Sequence, residues 1–180
     1  TVLMAGSSGG LVGAAYLREL YLQKQQGKIA SYYDNTYLNN VSKDILNPMA
    51  FSIATTDLFF RFQRFKDGKH SYAKDRAYAF ETALNENTNH VLEKRLSDYR
   101  EPEANAVIPL MIMAPTIIND GRKLFISPQP VSYLTQNSIR GTVSINPLIE
   151  GIEFSRFFEK QEADNLRFTS ALRMNSTFPY

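Results

Sequence analysis

The chain opens on an apolar run, Val2-Leu3-Met4-Ala5, crosses five small residues, Gly6-Ser7-Ser8-Gly9-Gly10, and continues as a periodic apolar stretch. That order predicts a strand, a sharp turn and a helix. The helix is expected over residues 10–26. Leu11, Ala14, Ala15, Leu17, Leu20 and Tyr21 form its apolar side, Arg18, Glu19 and Gln23 to Gln26 face water, and Gly27 supplies the stop. Small residues at Gly13, Ala14 and Ala15 suit close packing of the first turns on a sheet.

Residues 32–65 read as helices broken at Asn47-Pro48, the first carrying Leu38, Val41 and Ile45 and the second Phe51, Ala54, Leu58, Phe62 and Phe65. The stretch Leu58 to Lys66 is the aromatic high point, four Phe with Arg61, Arg64 and Lys66 among them. Such a stripe fits a core, an acyl-facing or membrane-facing flap, or a nucleic-acid surface. Core packing is the commonest use of a helical aromatic stripe, and Phe beside basic residues suits a lipid interface. Base stacking needs a supporting groove that nothing here provides. Asp67-Gly68 predicts a turn, residues 71–99 a mostly helical segment with a solvated charged face, and residues 106–114 a strand buried on both faces. Asn119 to Arg122 predicts a hairpin turn leading into a strand over residues 123–127. Residues 131–151 carry few signals, and residues 162–174 read as a helix.

At 180 residues and 43% hydrophobic composition the chain is long enough for one domain with a sizeable core. A net charge of +2 implies neither nucleic acid nor an anionic surface by overall charge. Without cysteine there are no disulfides and no thiolate chemistry. No apolar run reaches spanning length and no signal-peptide pattern is present, so a cytoplasmic or membrane-peripheral location is expected. The opening at Thr1, without an initiator methionine, reads as a piece of something longer.

The candidate chemistry sits in the opening turn. Gly6-Ser7-Ser8-Gly9-Gly10 has the pattern G-x-S-x-G, which lifts a serine hydroxyl above a sheet edge at a strained bend. Side chains at the flanking glycines are expected to collide with the neighbouring strand or helix. The amide of Gly9 then becomes an oxyanion donor, assisted by the positive end of the helix. A serine needs a base to act as nucleophile. Asp57, Asp67 or Asp75 with His90 satisfies the chain order of a Ser-Asp-His triad, but these acids fall before the next strand. A carboxylate acting directly in a Ser-Asp dyad is the alternative. His70 and His90 read as surface residues without metal-ligand spacing, so no metal site is expected.

The elbow and its following Leu11 to Tyr16 resemble the nucleophile motif of the patatin-like phospholipases. Residues 109–116 through Gly121 and Phe125 resemble that family's central strand pair, and residues 166–174 up to Phe178-Pro179-Tyr180 resemble the helix and loop before its catalytic aspartate. The resemblance implies a three-layer α/β/α core with a mainly parallel sheet, here a single partial domain over residues 1–180, incomplete at both ends. It implies hydrolysis of glycerolipid or other acyl esters through an acyl-enzyme on Ser8, with Gly9 donating to the oxyanion, Gly6 and Gly10 completing the motif, and no metal or organic cofactor. The family's aspartate is then expected after Tyr180 and its glycine-rich oxyanion loop before Thr1. Asp120-Gly121 is a hairpin turn on this reading. Contact with a membrane surface, but not with nucleic acid, is expected. A non-catalytic lipid-binding or scaffolding relative and a Ser-Asp-His esterase are the alternatives.

Overall fold

In the computed structural model, which describes residues 2–59, 63–135 and 151–176, the apolar opening forms strand β1 (Leu3–Ala5) and helix α1 runs from Ser8–Gln25. Gly27, at φ 71°, ends α1 by letting the amides of Gly27 and Lys28 reach back to Lys24 and Gln23, as a left-handed C-terminal residue does. The later helices are α2 (Asn35–Val41), α3 (Leu46–Ser52), α4 (Arg76–Asn87), α5 (Arg100–Ala104), α6 (Phe154–Phe157) and α7 (Phe168–Ser176). Strands β2 (Arg64–Asp67) and β3 (His70–Ala73) form an antiparallel hairpin, followed by β4 (Leu110–Ile112), β5 (Lys123–Phe125) and β6 (Gly151–Glu153).

The fold is mixed α/β, with short strand pairs. β1 pairs in parallel with β4, Met4 opposite Met111, and β5 pairs in parallel with β6. Beyond β4, Met113 exchanges two 2.9 Å backbone hydrogen bonds with Ile126, so the chain folds back through the expected turn. Gly121, at φ 76°, makes that turn possible, and its amide donates to the Ile117 carbonyl. Among the described residues the strands form three two-stranded pairs, two of them parallel, rather than one continuous sheet. At Gly151 a Cβ would lie 2.4 Å from the Phe125 ring, so a larger residue there would have to displace that ring from the β5–β6 pair.

Several expectations change in the middle of the chain. The helix break falls over residues 42–45 rather than at Asn47-Pro48. Pro48 sits in the first turn of α3, where its missing N–H has no helical partner to lose. The second helix does not continue to Phe65. The regular helix gives way to a π-helical turn over Ile53–Asp57, and the stripe is exposed both before it, at Phe51, and after it, at Leu58. Phe51, Leu58 and Phe59 are about 70% exposed, which corrects the core assignment; Phe60, Arg61 and Phe62 lie outside the described residues. Phe65 instead alternates inward on β2, its ring 4.6 Å from that of Tyr78. Residues 70–73 are strand, so the helical segment starts only at α4, capped by Asp75 accepting from the amides of Ala77 and Tyr78.

The core gathers Leu11, Ala15, Tyr16 and Leu20 of α1 with Leu84, Leu92, Leu96, Tyr99, Met111, Met113, Ile126, Phe168 and Leu172. α7 packs on both α1 and α4. It begins later than the pattern implied, because residues 166–168 are drawn into pairing with residues 94–96. Leu96 donates to the Leu166 carbonyl and Phe168 to that of Lys94.

Arg18 and Glu19, expected in water, are buried to 1% and 0% exposure, because α1 is covered on more than its apolar stripe. Their charges are answered. Arg18 Nη2 lies 2.7 Å from Glu103 Oε1, out of line for a hydrogen bond, and the guanidinium sits 4.5 Å from the Tyr99 ring centre. Glu19 accepts from Lys94 Nζ at 2.7 Å and from the Tyr99 hydroxyl at 2.8 Å. Glu81, also expected on a solvated face, is buried against Arg167 and Arg173.

Candidate functional site

The site is built by the bend between β1 and α1. Pairing with β4 holds β1 extended, Ser7 continues in the extended region at φ −136°, and Ser8 then turns to φ 54° as the helix starts. A left-handed backbone at a non-glycine residue costs about 1–2 kcal/mol. Strain of this kind collects where a side chain must be held in one orientation. Ser8, Gly9 and Gly10 are exposed, with Gly6 on the same elbow. The structure therefore brings all four motif residues together at the surface, at the end of a parallel strand pair.

α1 is an 18-residue helix whose start has no side-chain cap and no acidic residue in its first turn. Its leading amides keep their hydrogen-bonding capacity for a group outside the helix, and its dipole favours negative charge there. The Gly9 amide belongs to that set. The expected steric reason for the glycines does not hold within the described residues. A Cβ on Gly9 or Gly10 meets nothing within 4 Å, and one on Gly6 makes only ordinary contact with Leu11 at 3.9 Å. The bend rests on the backbone of Ser8, and open space surrounds the glycines.

Two residues of α7 reach this elbow, and no local pattern marks either of them. Asn175 Nδ2 donates to the Gly6 carbonyl at 2.9 Å, while its Oδ1 accepts from the Ala114 amide at 3.0 Å. One side chain thus ties the turn after β1 to the chain just past β4. Ser176 Oγ lies 2.7 Å from the Leu172 carbonyl and 3.3 Å from that of Ser8, so its one proton goes chiefly to Leu172. The link spans more than 160 residues of chain, and no local spacing encodes it.

Among the described residues no side chain hydrogen-bonds the Ser8 hydroxyl. The acids and histidines considered for it are engaged elsewhere. His90 is exposed, with Nδ1 2.9 Å from Glu93 Oε2. Asp67 is held by Arg95, at 2.8 Å, and by Arg167. The Arg95 hydrogen bonds keep its carboxyl below the usual carboxylate range. Asp75 caps α4, and Asp57 accepts from the Arg76 amide. Asp120 bonds its neighbour Arg122 through both carboxylate oxygens, which lowers its pKa, as a turn residue does. His70 is exposed on β3.

Two hollows lie away from Ser8. A groove of about 940 Å³ separates the β2–β3 hairpin from α6 and α7, with Phe65, Tyr72, Tyr78, Phe154 and Phe158 on its walls. A smaller one of about 310 Å³ lies between α3 and α4. Among the described residues no three His, Asp or Glu cluster as a metal site, and no helix is long and apolar enough to cross a membrane.

Compared with models of protein families, with curated proteins and with solved structures, the chain matches none of them.

Proposed function

We propose that Ser8 is the nucleophile of a serine acyl-ester hydrolase of the patatin-like class, acting on glycerolipid or related esters. The observation that carries this reading is the left-handed Ser8 at the head of an uncapped 18-residue helix that directly follows a parallel strand. Such a bend presents the hydroxyl outward and leaves the Gly9 amide and the helix start available to an oxyanion. On this reading a carboxylate serves directly as the general base, an acyl group is carried on the Ser8 oxygen, and water releases it. The mixed α/β fold with parallel pairs supports a three-layer patatin-like core as the wider architecture.

The test is covalent labelling of the full-length protein by a fluorophosphonate. Labelling that is lost in Ser8→Ala and kept in His90→Ala is the expected result. Loss in both variants would instead favour a Ser-Asp-His esterase. The second reading is a lipid-binding relative without turnover. It predicts no labelling of the full-length protein at all.

A further inference from the structure

We propose that the β2–β3 hairpin and the Leu58–Phe59 pair preceding it form a docking face for an anionic lipid bilayer. The reading of Ser8 as a lipid hydrolase is deepened by this surface, but the surface does not depend on it. Residues 61–74 hold five basic residues, Arg61, Arg64, Lys66, Lys69 and Lys74, against one acidic residue, Asp67, while the whole chain carries only +2. Positive charge is therefore concentrated in this segment and the remainder of the chain is net negative. Asp67 does little to neutralise it, because its carboxylate is turned to Arg95 and Arg167. Arg64, Lys66 and Lys69 are exposed, and none of them has an ion-pair partner among the described residues. Arg64 is ordered without being neutralised, since its guanidinium donates to the hydroxyl and carbonyl of Ser71 across the hairpin at 3.0 and 2.8 Å.

Large apolar side chains stand at the same end of the molecule. Leu58 and Phe59 are 68% and 69% exposed, five and four residues before Gln63, whose carbonyl accepts from the Lys74 amide at the hairpin base. Exposed Phe51 shares the smaller hollow with Gln63 and Lys74. Aliphatic and aromatic side chains flanked by lysine and arginine suit a bilayer interface, where the rings enter the acyl boundary and the cations meet anionic headgroups. Charge complementarity decides between occupants. A second copy of the chain would bring this positive face against its own kind. A nucleic acid would stack its bases on rings alone, whereas aliphatic Leu58 stands as exposed as Phe59, which suits an acyl boundary.

The experiment is co-sedimentation of the full-length protein, carrying Ser8→Ala to remove turnover, with phosphatidylcholine vesicles with and without phosphatidylserine. Binding is expected only with phosphatidylserine and falls as salt is raised. Lys66→Ala with Lys69→Ala weakens it roughly 25-fold at low salt. Phe59→Ser lowers it further at every salt concentration. Both lysines are exposed, so their removal leaves thermal melting unchanged, and the lysine variant carries the test if Phe59→Ser fails to fold. Equal binding to neutral vesicles, wild-type binding by the lysine variant, or no binding overturns the proposal. Tighter lysine-dependent binding of single-stranded RNA would also overturn it, in favour of nucleic acid. Fluorophosphonate labelling does not read this surface, so failure here leaves the Ser8 reading standing, and the reverse holds.

Discussion

Ser8 spends backbone energy that a glycine at the same place would not. Its φ of 54° is open to glycine and costs other residues about 1–2 kcal/mol. Replacing Ser8 by glycine relieves that strain but frees the unfolded chain by about 0.4–1 kcal/mol. Ser8→Gly is therefore expected to raise stability in urea melts by about 1 kcal/mol or less, while Ser8→Ala stays within about 0.5 kcal/mol of the parent. A Ser8→Gly variant less stable than the parent would show that the bend is relaxed. At this scale the sequence was informative: the G-x-S-x-G pattern located the bend and its serine. It misled about the glycines, because a motif states which residues are small and not what surrounds them.

At the scale of elements, the elbow depends on α7 as much as on β1. Asn175→Ala removes the partner of the Ala114 amide and of the exposed Gly6 carbonyl, which water can reach, and costs about 0.5–1.5 kcal/mol. Amide exchange at Ala114 is expected to accelerate, with exchange in α4 unchanged. Unchanged exchange at Ala114 would mean that apolar packing by Phe168 and Leu172 holds α7 against the elbow unaided. Legibility followed local signal strength. α1 and the turn at Gly121 were read correctly because one has a long period and the other a strong turn residue; of the strand expected over residues 106–114 only Leu110–Ile112 is strand, because an apolar run shows burial and not where pairing ends. The hairpin at residues 64–73 was missed: Phe62 and Phe65 matched a helical stripe, and the π turn that breaks it has no sequence mark.

At the scale of the whole molecule, the ion pair of Arg18 and Glu103 is buried on both sides and costs both charges their hydration. Removing one partner strands a buried charge, so Glu103→Leu is expected to lose about 3–5 kcal/mol, and adding Arg18→Met returns most of it. The pair also sets a pH dependence. Burial raises the Glu103 carboxyl from 4.5 to about 7, against the opposing pull of Arg18 and the Met111 amide. A raised acid holds its proton in the folded state after the unfolded chain has released it. Its contribution to stability is therefore full below about pH 4.5 and is lost as pH rises through about 7. Asp67 acts in the opposite sense at lower pH. Its lowered pKa gives stability that is lost only as acid protonates it. Thermal melts should show a decline between pH 5 and pH 8 that Glu103→Gln abolishes; a decline that survives Glu103→Gln belongs to another group.

The amino-acid order by itself determined the strand, bend and helix at the start, the polarised charge of residues 61–74 and the turn at Gly121, because each is written in neighbouring residues. Only the tertiary structure decided that Arg18 and Glu19 are buried, that Phe59 is exposed, and that Asn175 braces the turn beside Ser8. Burial and long-range hydrogen bonds depend on which distant segment arrives, and the physics that brings α7 against α1 acts between residues more than 150 positions apart.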